Sequence, residues 1–267
     1  MLVNVFEGAT SAYSLRIPAL STYTGPLIRA RRFSDNAELD FSAVTTPDSN
    51  GNRWLDTAAI LTWVGAGSAS VTTVYNQTGD GISLRQATAA SQPRIATSGV
   101  ISVKNGMPAM EFLGGQSLDG SAAVNIAQPS TINIVVSSAG AAKLFDGATA
   151  SRQMIDANPL TGSVYRFFAG SPPISSSAGS FVANDSAVIS AVFNGASSTL
   201  RKNGAQIASG NTGVNALGIM RIGRSQVGSE FLTGAVQEVV AFRSELSISA
   251  RFDLEKSQGL AFGITVA

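Results

Sequence analysis

At 267 residues the chain is long enough for one large all-β domain or two small ones. It contains neither Cys nor His, which excludes thiol chemistry, disulfides and zinc or iron–sulfur sites, and removes the commonest general base and metal ligand. A net charge of +1 with only 13% charged residues excludes a global basic field for nucleic acid. A mean hydropathy of +0.19 and much Ala, Ser, Thr, Gly and Val predict a weakly hydrated surface, of the kind that neighbours cover in an assembly.

In chain order, the opening MLVNVFEGATSAYSLR has no basic start and no long apolar core, so no secretory signal is expected. No stretch reaches the roughly 18–20 apolar residues of a membrane-spanning helix. Residues 1–11 read as an N-terminal arm and residues 12–267 as one domain. Strands are predicted at Pro26–Arg31, Ser70–Tyr75, Val100–Val103, Ala109–Phe112 and Thr131–Ser137, then at Val164–Phe168, Ser186–Phe193, Ser198–Lys202, Ile219–Ile222 and Val236–Phe242. Asn-Gly and Asp-Gly pairs between them, among them Asn105-Gly106, Asp119-Gly120, Asp146-Gly147 and Asn203-Gly204, read as tight hairpin turns. Two helices are predicted, Leu55–Val64 with Asp56 near its start, and Ile248–Gln258. The Ser/Gly/Pro-rich run Gly170–Ser180 reads as a long loop. Strands at this spacing argue for a sandwich.

Arg29, Arg31 and Arg32 lie close to Asp35, Glu38 and Asp40. They are either a cationic patch for an anionic glycan or phosphate, or ion pairs around a turn at Ser34-Asp35-Asn36. The matched opposite charges favour pairing.

The ordered pieces AYSLR, TGPLIRARRFSDNAELDF, LDTAAILTWVG and SVTTVYNQTGDGISLRQATAASQPRI resemble the first half of the arabinofuranosidase B catalytic module. Downstream, the hairpin Thr199–Gly204, the short Ile219–Gly223 strand and the run from Phe231 through Gly234 to Val236–Phe242 resemble laminin-G-like jelly rolls. The resemblance implies an all-β, concanavalin A-like jelly-roll β-sandwich with one or two short helices. Non-enzymatic copies of the module occur in bacteriophage tail-fibre and virion proteins. The resemblance therefore implies a virion structural protein (capsid decoration, tail or fibre component) that contacts other virion proteins, copies of itself and host-surface glycan. The alternatives are a carbohydrate- or receptor-binding module and an arabinofuranosidase-like glycoside hydrolase.

The candidate ligand-binding residues are Trp63, Tyr75, Asn76, Gln77 and Asp80: polar groups for sugar hydroxyls, with Trp63 or Tyr75 stacking on a ring. The competing reading is a strand that ends in an Asx-type turn, with Asn76 and Gln77 satisfying backbone groups. No metal and no cofactor are expected. The acidic residues are scattered mostly singly, and Asp146, Asp156, Asp185, Glu230 and Glu238 stand in no recognisable glycosidase motif. The expectation is a chain without catalytic activity, located in the virion.

Overall fold

The computed structural model describes residues 4–79, 81–158 and 162–267. Strands dominate, as the alternating runs predict, and they lie in two layers. The first layer runs, neighbour to neighbour, from Ala205–Gly210 through Ser198–Lys202, Ser186–Phe193 and Ser130–Ser138 to Thr233–Phe242. Ser11–Ser14 and Met110–Leu113 share the far edge of that last strand. The second layer runs from Glu38–Phe41 through Ile28–Arg32, Ala69–Val74, Leu84–Arg85 and Leu118–Gly120 to Met220–Ile222. It continues through Ala142–Gly147 and Met154–Asn158 to Val164–Phe168 and Ile174–Ser175. Every pairing is antiparallel, and Arg94–Thr97 links the two layers by pairing with both Met110–Leu113 and Ala69–Val74. This is the expected β-sandwich of jelly-roll type.

Period-two alternation sends one face of each layer inward. Ile132, Ile134, Ile189, Phe193, Val236 and Val239 of the first layer meet Ile28, Val74, Leu84, Leu118, Phe145, Ile155, Phe167 and Ile222 of the second in one buried cluster. The outer faces differ. The first layer is roofed by the helix Ile248–Phe262, whose Leu254 and Phe262 pack on Val240, Phe242, Val135 and Val188. Val5 and Phe6, inside the expected arm, join that packing.

The predicted helices are present as Thr57–Val64 and Ile248–Phe262. Asp56 caps the first, accepting a hydrogen bond from the Ala59 amide at 2.9 Å. Asn203-Gly204 turns a hairpin with φ of 50° and 86°, the left-handed pair such a turn requires. Asp119-Gly120 and Asp146-Gly147, by contrast, lie inside strands, which corrects the turn reading. The Gly170–Ser180 run includes the short strand Ile174–Ser175.

Candidate functional site on the outer face of the second layer

The register of the second layer sets charged residues side by side. Arg29 stands beside both Asp40 and Thr73, Thr73 beside Arg85, Arg85 beside Asp119, Asp119 beside Arg221, and Arg221 beside Asp146. Residues that are lateral neighbours share a face, and the flanking rows, Ile28, Val74 and Leu84 on one side and Leu118, Ile222 and Phe145 on the other, are core. The charges therefore line the outward face. One row further, Lys143 stands beside Asp156, and Asp156 beside Arg166. Lys143 and Asp146 are three residues apart, which in a regular strand puts them on opposite faces. A register shift between Lys143 and Phe145 brings both outward, while Leu144 and Phe145 are both buried in the core.

Arg221 grips Asp119 with two parallel hydrogen bonds, at 2.9 and 3.0 Å. Arg224 adds a third contact to Asp119 at 2.6 Å. The Arg221 guanidinium also donates to the carbonyl oxygens of Ser225 and Gln226, pinning the loop that runs from Arg224 to Glu230. That loop covers Asp146, whose carboxylate accepts the Gln226 amide at 2.9 Å and its neighbour Gly147's amide at 2.8 Å. Burial pushes the Asp146 carboxyl above the ordinary range, against the opposing pull of Arg152 at 3.3 Å.

Lys143 connects the other two carboxylates. Its ammonium lies 2.6 Å from Asp156 and 3.3 Å from Glu230. The two acids therefore have oxygens no more than about 6 Å apart, bridged by one ammonium. Arg166 clamps Asp156 from the far side at 2.9 and 2.6 Å. The Asp156 side chain is 1% exposed and that of Glu230 51%, so solvent and ligand reach Glu230.

Of the residues singled out by sequence, Tyr75 is on this face. Its hydroxyl donates to Asp40 at 2.7 Å, and burial together with Asp40 pushes its pKa up to about 12, so it stays a donor at neutral pH. Trp63 packs edge-to-face on Phe41, with Arg32 over its ring. Adjacent strand residues Asp40 and Phe41 point to opposite faces, so Tyr75 and Trp63 do not line one groove. Asn76 accepts the Ala12 amide at 2.9 Å and the Thr78 amide at 3.1 Å. Gln77 donates to the carbonyls of Ser14 and Arg16, both at 3.0 Å. Asn76 and Gln77 thus tie the Thr78 turn to the Ser11–Ser14 strand. Asp80 lies outside the described residues.

Of the five downstream acids, the structure gathers Asp146, Asp156 and Glu230. Asp185 pairs with Lys202, and Glu238 is buried in the other layer against Arg16. The sequence reading missed Asp119 and Arg221 as site residues. Only the strand pairing shows them, because it sets Arg221 of the short "RIG" strand between two acids more than 70 residues away.

No family model matches the chain, and no curated protein matches it. Among solved structures it is similar to an arabinofuranosidase complexed with arabinofuranosyl-α-1,2-xylobiose, with a TM-score of 0.75 and 14% identity over 97% of this chain. A GH54 α-L-arabinofuranosidase soaked with a cyclic sulfate inhibitor gives a TM-score of 0.71 and 16% identity over the same share. The chain spans 64% of the length of either. Trypanosoma rangeli sialidase in complex with the inhibitor DANA gives a TM-score of 0.51 and 11% identity, over 86% of this chain and 44% of the sialidase. At these identities the likeness establishes a shared fold. It corrects two expectations, a virion building block and a chain without catalysis, since the solved structures named above are arabinofuranosidases and a sialidase. The physical ground against catalysis, acids scattered singly, also fails, since the sheet register collects Asp119, Asp146, Asp156 and Glu230 on one face.

Proposed function

We propose that the chain is a carbohydrate-active domain of glycoside-hydrolase type, which takes its saccharide on the outer face of the second layer. The observation that carries this reading is the Asp156–Lys143–Glu230 cluster, two carboxylates drawn together by one lysine, with Glu230 exposed and Asp156 buried. Glu230 transfers its proton to the glycosidic oxygen as the bond to the anomeric carbon breaks, and the leaving sugar departs as an alcohol. Water then adds to the anomeric carbon and returns its proton to Glu230. Asp156, neutralised by Lys143 and Arg166, anchors the lysine that positions Glu230 and forms no covalent bond to the sugar. The fold likeness makes an α-L-arabinofuranoside the first substrate class to try.

The test is release of 4-nitrophenolate from 4-nitrophenyl α-L-arabinofuranoside, and of arabinose from an arabinofuranosyl-xylobiose, by the wild-type chain and by Glu230→Gln. Turnover that Glu230→Gln reduces at least 100-fold, with an unchanged melting temperature, supports the reading. Wild-type rates equal to buffer on both substrates overturn it, as does full activity of Glu230→Gln.

A further inference from the structure

The arginine-rich segment that begins at Arg29 divides in the structure. Arg29 forms a two-bond pair with Asp40 at 2.7 and 2.9 Å, and Arg32 does the same with Asp35 at 3.1 and 2.6 Å. Arg31 has no acidic partner among the described residues. It donates to the neutral oxygens of Gln92 and Asn36, both at 2.8 Å. Arg94 makes no ion pair and no side-chain hydrogen bond among the described residues. Its guanidinium and that of Arg31 each lie 4.9 Å from the centroid of Phe33, whose side chain is 40% exposed. Backbone register explains the meeting, because Ser70 stands beside Arg31 on one side and beside Arg94 on the other. Glu38 and Glu111 stand beside Arg31 and Arg94 in register, yet neither carboxylate comes within ion-pair distance.

Both guanidinium groups lie against one ring, with Glu38 and Glu111 flanking them outside ion-pair distance, and each keeps N–H donors free for an incoming oxyanion. Arg31 shares its face with Arg29 and hence with the charged row. Exposed Arg85, which also lacks an acidic partner among the described residues, stands in that row toward Asp119. Five strand spacings separate the Ile28–Arg32 strand from Ala142–Gly147, roughly 24 Å at about 4.8 Å each. That is room for several rings of a linear saccharide reaching from Glu230 toward Arg31.

We propose that Arg31 and Arg94, held by Phe33, form an anion subsite for the carboxylate or sulfate of an acidic polysaccharide lying across this face. The inference rests on the reading that the outer face of the second layer takes a saccharide. Arginine suits the role because its planar fork matches both oxyanions and stays charged at every working pH. The flanking Arg85 gives the chain of anions a second contact on the way to Glu230.

Calorimetric titration tests it with three probes at low salt: an oligogalacturonate for carboxylate, a heparin oligosaccharide for sulfate, and a neutral arabino-oligosaccharide. The expected result is at least tenfold tighter binding of one or both acidic probes than of the neutral one, weakening as salt rises. The double variant Arg31→Gln/Arg94→Gln is expected to lose that tenfold and to bind the neutral probe unchanged. The single variant Arg94→Gln, which breaks no hydrogen bond of the fold, supplies the result should the double variant melt early. Acidic probes held equally well by wild type and variants overturn the inference and leave the Glu230 reading standing. A single-stranded oligonucleotide bound more tightly than either acidic glycan overturns it too. Arginine-dependent binding of acidic glycans without any Glu230-dependent hydrolysis sustains the subsite and removes the catalytic step.

Discussion

The sharpest stability prediction concerns Glu238. Both its side chain and that of Arg16 are 0% exposed, and they meet between the first layer and the helix Ile248–Phe262. One oxygen of Glu238 accepts from Arg16 Nε at 2.9 Å and from the Ser14 hydroxyl at 2.7 Å. The other accepts from Arg16 Nη2 at 3.2 Å and from Gln258 at 2.9 Å. Glu238→Leu keeps the volume but strands a buried guanidinium, with only Asn52 and Ser257 left to satisfy it. Breaking one side of such a pair costs about 3–5 kcal/mol. At roughly 2–4 °C per kcal/mol for a chain of this size, the melting temperature falls by on the order of 10 °C. Arg16→Met leaves the carboxylate stranded and costs a similar amount. The double variant removes both charges and takes one hydrogen bond each from Ser14, Gln258, Asn52 and Ser257. Its loss is therefore expected to fall at least about 2 kcal/mol short of the two single losses together. Urea midpoints at constant slope measure all three. Single losses below about 1 kcal/mol, or losses that simply add in the double variant, refute the buried-pair reasoning.

Asp146 supplies a prediction in pH. Burial raises its folded pKa, so the folded chain holds this proton more tightly than the unfolded chain. That stability is fully present below the ordinary aspartate range and is lost as pH rises through the raised value. The cost of Asp146→Asn is therefore expected to shrink between pH 3 and pH 7 in urea titrations, and a cost that grows with pH contradicts the assignment. Gly213 has φ of 91°, and a methyl group there would sit 2.4 Å from the Ala169 carbonyl oxygen and 2.5 Å from the Ser171 nitrogen. Gly213→Ala is expected to cost about 2–4 kcal/mol, from left-handed strain plus a backbone clash. Gly140→Ala meets nothing within 4 Å and serves as the neutral control in the same thermal melts. Asp56→Ala removes the cap on the Ala59 amide and is expected to cost about 1 kcal/mol by the same measurement.

Strands whose buried faces are apolar were legible in sequence: Val164–Phe168, Ser186–Phe193 and Ser198–Lys202 lie where alternation and flanking turns place them. The Asp56 cap announced its helix in the same way. The strands that carry the acids of the candidate site were not legible. Leu118–Gly120, Ala142–Gly147 and Met154–Asn158 carry Asp119, Lys143, Asp146 and Asp156, which interrupt the apolar runs. Two of those aspartates precede a glycine, the local signature of a turn. What makes them strand residues is distant in sequence: Arg221 opposite Asp119 and Asp146, and Arg166 opposite Asp156. Charge in a strand is tolerable when the neighbouring strands neutralise it, and no local window contains the neighbouring strands. The pairing of Arg29 with Asp40 and of Arg32 with Asp35 was legible because both partners sit across one short turn.

Glu230 and Glu238 show why a carboxylate's role follows from the layer it occupies. Glu230 precedes the strand Thr233–Phe242 and Glu238 lies within it. The chain passes from the second layer to the first between them. Glu238 arrives beneath a helix, where a charge survives only with a partner and a full set of donors, and Arg16, Ser14 and Gln258 supply them. Glu230 stays at the rim of the open layer, with half its surface in water and a single lysine beside it. The first environment locks a carboxylate into architecture. The second leaves one with a free face that a bound sugar can reach. The roof over the first layer locks Glu238 in, whereas the rim of the second leaves Glu230 in water, and that difference directs the search for activity to Glu230.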